Sequence, residues 1–476
     1  MENRQRVHEP FVFSALFFAL TAGFGYAAVL VIAPALGYSA GPWWLATVEA
    51  HGYAQLFGWA GLFVLGVGLF FIPRLRGTVL ARPELAYWAL ACFILGIGLR
   101  VLLQPAVAIL AGPAVSGSAW APVARLGIVV SALLQVAGTL LVIVMLAATF
   151  RRAPPLGTQA PLRPVRGLLA LGLISLAVSG LLNLLLAIDL VARSGYTYLY
   201  AWDDALTHLM IMGFIVPISL ALSVRNLPLF MRLAFPPRRE LGPLLAVLVL
   251  GLIARLIGGV EQTFFPLPAF AWQLTGFGQV LEGSALLAFI WMIDIPLRRK
   301  RPWTESRLPT PPDVAAARKP TRKNYPDYGE YGRFELLIIS AYLWLAFAAI
   351  IAVLNGGAEI VSASVIFDPD VERHALTVGY ITLLILGMAV RMLPGFSGKQ
   401  KVASTRLVLA TFCLGNLAAF LRVAPLLKPD LPLSSAGLAS SGVIGWLAVA
   451  ALAVNLWRTF RPPQARKARP ASPSST

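Results

Sequence analysis

Apolar runs of roughly 20 residues, the length a helix needs to cross a bilayer, recur twelve times along this chain. They lie near 11–34, 52–72, 85–110, 124–150, 167–191, 203–224, 241–259, 270–296, 335–355, 374–393, 405–424 and 438–457. The first run is long and follows a weakly charged start, so it reads as a retained helix and not a cleaved leader. Of 476 residues, 58% are apolar and 13% charged, about half the charge of a soluble domain. A nucleic-acid-binding globule is thereby excluded, in spite of 39 Lys and Arg against 21 Asp and Glu. The two cysteines, Cys92 and Cys413, both sit in apolar runs, which excludes a disulfide scaffold. The fold class is an all-α polytopic membrane protein whose principal partner is the lipid bilayer.

Basic residues set the orientation, because cytoplasmic loops collect Lys and Arg. Arg74, Arg76 and Arg82 follow the second run, and Arg151, Arg152, Arg163 and Arg166 the fourth. Arg232, Arg238 and Arg239 follow the sixth, ten basic residues occupy 298–333, and Lys399, Lys401 and Arg406 follow the tenth. The intervening loops carry Glu49, Asp203, Asp204, Glu261, Asp368, Asp370 and Glu372 instead. Every second loop agrees, so both termini are expected in the cytoplasm of a bacterial-type inner membrane. The net charge of +18 then faces anionic lipid. No nucleic-acid partner is needed.

A threefold pattern runs through the chain. The second run reads His51, then Gly58-Trp59, then Pro73; the sixth His208, Gly213-Phe214, Pro228; the tenth His374, Gly379-Tyr380, Pro394. The glycine precedes the proline by 15 residues each time, and an arginine, Arg100, Arg255 or Arg422, follows the proline by 27, 27 and 28. Twelve transmembrane helices in three pseudo-repeats of four are expected. The divisions are 1–157, 158–300 and 335–461, with a basic cytoplasmic loop at 301–334 and a Pro/Ser/Ala-rich disordered tail at 462–476. Glycine permits close helix approach in lipid and proline ends a span.

Of four histidines, His8 lies in the polar start and reads as solvated. The other three open helices that run from outside to inside, and the three arginines close helices running the other way. All six therefore belong to the outer leaflet. Ionisable groups there cost about 2.5–3.5 kcal/mol each and mark function. Three arginines need anions, and the intramembrane sequence offers few carboxylates, Glu282 in mid-helix 8, Asp189 near the outer end of helix 5 and Asp294 near the inner end of helix 8. Haem carries two propionates that suit the planar arginine fork, and neutral imidazole is a common axial ligand. Bland readings stand beside this one, since interfacial histidines contact headgroups and arginines snorkel. His51 precedes its glycine by seven residues and the others by five. At 100° per residue that offset turns His51 about 200°, so the three imidazoles need not share one task.

Met210 and Met212 are soft-ligand candidates that read more readily as core packing. Arg225 and Arg391 suit the inner interface, and Glu282 and Gln135 suit either a polar path or helix–helix hydrogen bonding. Two further function classes remain: a polytopic solute transporter, with broken helices around a midplane cavity, and a cofactor-free assembly subunit.

The stretch opening at His51, HGYAQLFGWAGLFVLGVGLFFIPRLRG, resembles the helix-2 motif of proteins related to haem–copper oxidase subunit I. The stretch Arg373–Lys399, RHALTVGYITLLILGMAVRMLPGFSGK, looks like the late-helix motif of the NnrS family. That resemblance implies a haem- and copper-containing membrane protein linked to nitric-oxide stress, and a twelve-helix pseudo-threefold fold. It further implies haem b ligands at His51 and His374, a copper ligand at His208, propionate partners among Arg100, Arg255 and Arg422, and an electron donor. The chain departs from the oxidases at 241–259, which holds no histidine, and at the tenth run, which holds only His374. A complete histidine-ligated binuclear centre is therefore not expected.

Overall fold

The computed structural model describes residues 6–110, 118–157, 160–264, 268–300, 329–362, 364–430 and 434–461. Among them are twelve helices long and apolar enough to cross a membrane. They are α1 His8–Ala35, α2 Pro42–Leu75, α3 Glu84–Leu110, α4 Trp120–Arg152, α5 Arg166–Ala192 and α6 Tyr200–Met231. The rest are α7 Arg238–Glu261, α8 Phe270–Ile293, α9 Phe334–Ser362, α10 Pro369–Phe396, α11 Thr405–Leu427 and α12 Ser434–Phe460. No strand occurs among the described residues, as expected where lipid cannot satisfy an open sheet edge. The chain is a multi-pass membrane protein. The expected loop at 301–334 falls mostly, and the tail at 462–476 wholly, outside the described residues.

Three helices form the centre. The apolar windows of α2, α6 and α10 are 94%, 83% and 83% buried, against 33–56% for the other nine. Neighbours in sequence pack side by side around them, and α12 closes against α1. The inner helices are the three that carry the histidine–glycine–proline pattern. Polar stitches join them: Trp59 donates to Thr382 at 3.3 Å and Ser219 pairs with Tyr380 at 2.8 Å. A buried hydroxyl or indole N–H in lipid needs such a partner.

The repeated glycines are contact points. A Cβ on Gly58 would stand 2.9 Å from Phe18 Cβ, one on Gly213 2.6 Å from Ser175 Oγ, and one on Gly379 2.6 Å from Trp344 Cγ. In turn these neighbours belong to α1, α5 and α9. Each inner helix thus presses its glycine against the helix before it. Each also widens into π-helix around that glycine, at Ala54–Gly61, Leu209–Ile215 and Ala375–Thr382, and α1 does so at Ala19–Gly23. A π turn adds a residue to the ring and leaves local carbonyls free for other donors.

His8 corrects the sequence reading. It is 0% exposed, edge-on to Phe70 at 5.0 Å and to Phe396 at 5.2 Å, with Phe70 and Phe396 stacked at 3.8 Å. The solvated start is in fact the first turn of α1, wedged between the ends of α2 and α10. Met210 and Met212 are buried core. Arg391 lies over Tyr331 at 4.3 Å and Phe230 at 4.4 Å, and Arg225 lies 5.9 Å over Phe235.

Candidate functional site

At the end opposite the basic loops, α1, α2, α3, α6, α10, α11 and α12 enclose a cavity. About 260 Å³ of it is open to the centre of a water molecule. One water needs only about 10–15 Å³ on that measure, so the cavity is far larger than a packing defect. Apolar side chains such as Phe24, Leu30, Val31, Phe57, Ile211 and Ile381 make most of the wall. Among them stand His51, His374, Arg100, Arg422, Arg373, Asp203, Asp370 and Glu49. Trp59 and Thr382 line it too.

The two histidines are held alike. His51 Nδ1 lies 2.9 Å from the Gly23 carbonyl, and His374 Nδ1 lies 2.8 Å from the Asp370 carbonyl. A carbonyl only accepts, so Nδ1 is the protonated nitrogen in both rings. Nε2 then carries the lone pair, and it makes no hydrogen bond among the described residues. The Gly23 acceptor exists because the backbone departs from helix there, with ψ −102° closing the π segment of α1. A ring fixed through Nδ1 with Nε2 free is the arrangement of a metal-ligating histidine.

His208 is placed differently. It does not line the cavity; its Nε2 donates to Glu282 at 2.9 Å. Glu282 is also 3.3 Å from Arg255, and Arg255 forks onto Glu372 at 2.7 and 3.2 Å. No group of three or more His, Cys, Asp or Glu among the described residues is arranged to hold a metal ion.

The arginines separate in the same way. Arg100 is 2% exposed and surrounded by Gln104, Asn183 and Tyr198, with Glu49 at 3.8 Å. Burial raises the Tyr198 hydroxyl above the usual phenol range, against the pull of Arg100. Arg255 is neutralised by Glu282 and Glu372 and stands outside the cavity wall, which corrects its expected place beside the other two. Only Arg422 lines the cavity with no hydrogen bond or ion pair among the described residues. The expected shortage of carboxylates is corrected, because Glu49 and Glu372, read in the sequence as loop residues, lie inside helices, Glu49 about two turns into α2 and Glu372 in the first turn of α10. Asp189 pairs with Arg193 at 2.7 Å and Asp294 with Arg299 at 2.9 Å. Gln135 accepts from Tyr53 and, at 2.9 Å, from Asn183, so it ties helices together. A signal missed in sequence is that both cavity histidines are preceded two residues earlier by glutamate, while His208 follows Leu206.

These features define a twelve-span helical membrane protein with two inward-facing imidazoles and a free guanidinium on one apolar cavity. The chain is similar, over residues 333–463, to the family described as NnrS protein. That stretch comprises α9 to α12 and includes His374 and Arg422. Its fold is similar to that of a heme-copper terminal oxidase dimer solved by cryo-EM. The TM-score is 0.62, with 98% of this chain and 86% of that chain covered at 13% identity. No curated protein matches the sequence.

Proposed function

We propose that this chain is a haem-binding integral membrane protein of NnrS type, with one haem b between His51 and His374. One observation carries the reading: two imidazoles, each with Nδ1–H committed to a main-chain carbonyl, share an apolar cavity with the unpartnered Arg422. The neutral tautomer presents the ligand lone pair without a deprotonation step. The apolar wall suits the macrocycle, and Arg422 suits a propionate. Arg100 adds positive field from behind Glu49, with its own hydrogen bonds already satisfied. Haem held by His51 and His374 would supply one-electron redox chemistry. The protein serves a nitric-oxide response or haem redox chemistry, fed by an electron donor, without a complete oxidase binuclear centre.

Copper does not fit equally well. Copper sites take several nitrogen or sulfur ligands, and His208 has a carboxylate and a guanidinium beside it instead. The distribution of basic residues supports a topology with both termini in the cytoplasm of an inner membrane, and in that topology the cavity belongs to the outer leaflet.

Purification in detergent followed by an optical spectrum tests the reading. A Soret band is expected in the wild type, lost or shifted in His51→Ala and in His374→Ala. Absence of any Soret band after reconstitution with haem overturns it.

A further inference from the structure

Glu49 and Glu372 each stand two residues before a cavity histidine, in the same turn of helix. Both are gripped by an arginine of the threefold pattern. Glu49 faces Arg100 at 3.8 Å. It also accepts the Gln104 amide and the Tyr198 backbone N–H at 3.0 Å. Glu372 takes the Arg255 fork at 2.7 and 3.2 Å. The side chains of Glu49, Glu372 and Arg100 are 13%, 6% and 2% exposed, so these are interior pairs and not a solvated rim. His208, which has no such glutamate, is the histidine that stays out of the cavity.

We propose that the two Glu-x-His turns are positioning elements, in which Arg100 and Arg255 hold Glu49 and Glu372 so that the following histidine is aimed into the cavity. The inference rests on the haem reading above. A histidine ring two residues beyond a glutamate points to another side of the helix, because two residues turn about 200°. Pinning each glutamate to its buried arginine therefore fixes the rotation of the turn, and with it the direction in which the following ring points. The α10 turn shows how complete the clamp is. Its N-cap Asp368 accepts from Asp370 N–H at 2.8 Å. Asp370 in turn offers the carbonyl to His374 and its carboxylate to Arg373 at 2.8 Å. This assigns Arg100 and Arg255 a task other than meeting propionates and leaves that contact to Arg422.

The test measures haem affinity and the electron paramagnetic resonance spectrum of the oxidised haem in full-length protein. Wild type, Glu49→Gln, Glu372→Gln and, as control, Asp189→Asn are compared. Outer-shell partners of metal-ligating histidines are worth about 10–100-fold in affinity. A loss of about that size is expected in both glutamine variants, together with altered g-values that report ring orientation, while Asp189→Asn matches wild type. Should Glu372→Gln not survive purification, Glu372→Asp keeps the charge but withdraws from the fork, and the same direction is expected. Wild-type affinity and g-values in the folded variants overturn the proposal. A wild type without a Soret band fails the haem reading itself, and both fall.

Discussion

The indole N–H of Trp59 reaches the hydroxyl of Thr382 at 3.3 Å, and each of these residues stands eight positions after the histidine of its own helix. Trp59 is 1% exposed and Thr382 5%. The pair fastens α2 to α10 along the wall of the cavity that His51 and His374 share. Trp59→Phe should remove the hydrogen bond and keep most of the ring, lowering stability by about 0.5–1.5 kcal/mol. Trp59→Ala should lower it by about 3–5 kcal/mol. Thermal unfolding in detergent separates the two variants.

The three pattern glycines should resist a methyl group. Gly213→Ala and Gly379→Ala meet neighbours at 2.6 Å, and Gly58→Ala meets Phe18 at 2.9 Å. Overpacking of this kind costs about 1–3 kcal/mol. Gly98, in mid-α3, has nothing within 4 Å of an added Cβ. Gly98→Ala should therefore be neutral or stabilising by up to about 1 kcal/mol. The four midpoints of unfolding, measured side by side, check the ordering.

Arg255 and Arg422 should behave oppositely when made apolar. Arg255→Met strands the buried Glu372 and leaves Glu282 with His208 alone, and breaking a buried pair costs about 3–5 kcal/mol. Arg422→Met strands nothing in the protein, so the fold should survive while haem affinity falls. Unfolding midpoints and haem titration on the same preparations read both effects. A stability loss in Arg422→Met equal to that in Arg255→Met would contradict this.

Asn355 supports the approach to α10. Its side chain is 1% exposed, accepts from Ile366 N–H at 3.1 Å and Phe367 N–H at 2.9 Å, and donates to the Phe367 carbonyl at 3.0 Å. Asn355→Leu leaves those main-chain groups without that partner, at about 1–3 kcal/mol for each buried group stranded. Protease nicking before residue 369, followed by mass spectrometry, should rise relative to wild type.

The twelve spans were legible because hydropathy adds up locally. The predicted run 374–393, for example, lies within the observed Pro369–Phe396. The pattern shared by α2, α6 and α10 was legible too, since the glycine precedes the proline by 15 residues in each, but their central position shows only in their burial. What misled was charge at helix ends. Glu49 and Glu372 read as loop residues because they border the apolar runs, yet each turns inward to a buried arginine. His8 misled for a similar reason: its sequence neighbours are polar, but Phe70 and Phe396 come to it from distant helices.

The sequence by itself determined that the chain has twelve runs able to span a bilayer and that the three patterned histidines and three patterned arginines fall toward one end of those runs, because burial of apolar surface and the scarcity of charge in lipid depend on composition along each segment. Only the tertiary structure decided that His51 and His374 share a cavity while His208 turns to Glu282, and that Arg422 alone of the three arginines lines the cavity without a partner. Those outcomes depend on the rotation of each helix about its axis and on which neighbour fills the space it faces, and the pairing energy of buried charges varies with both.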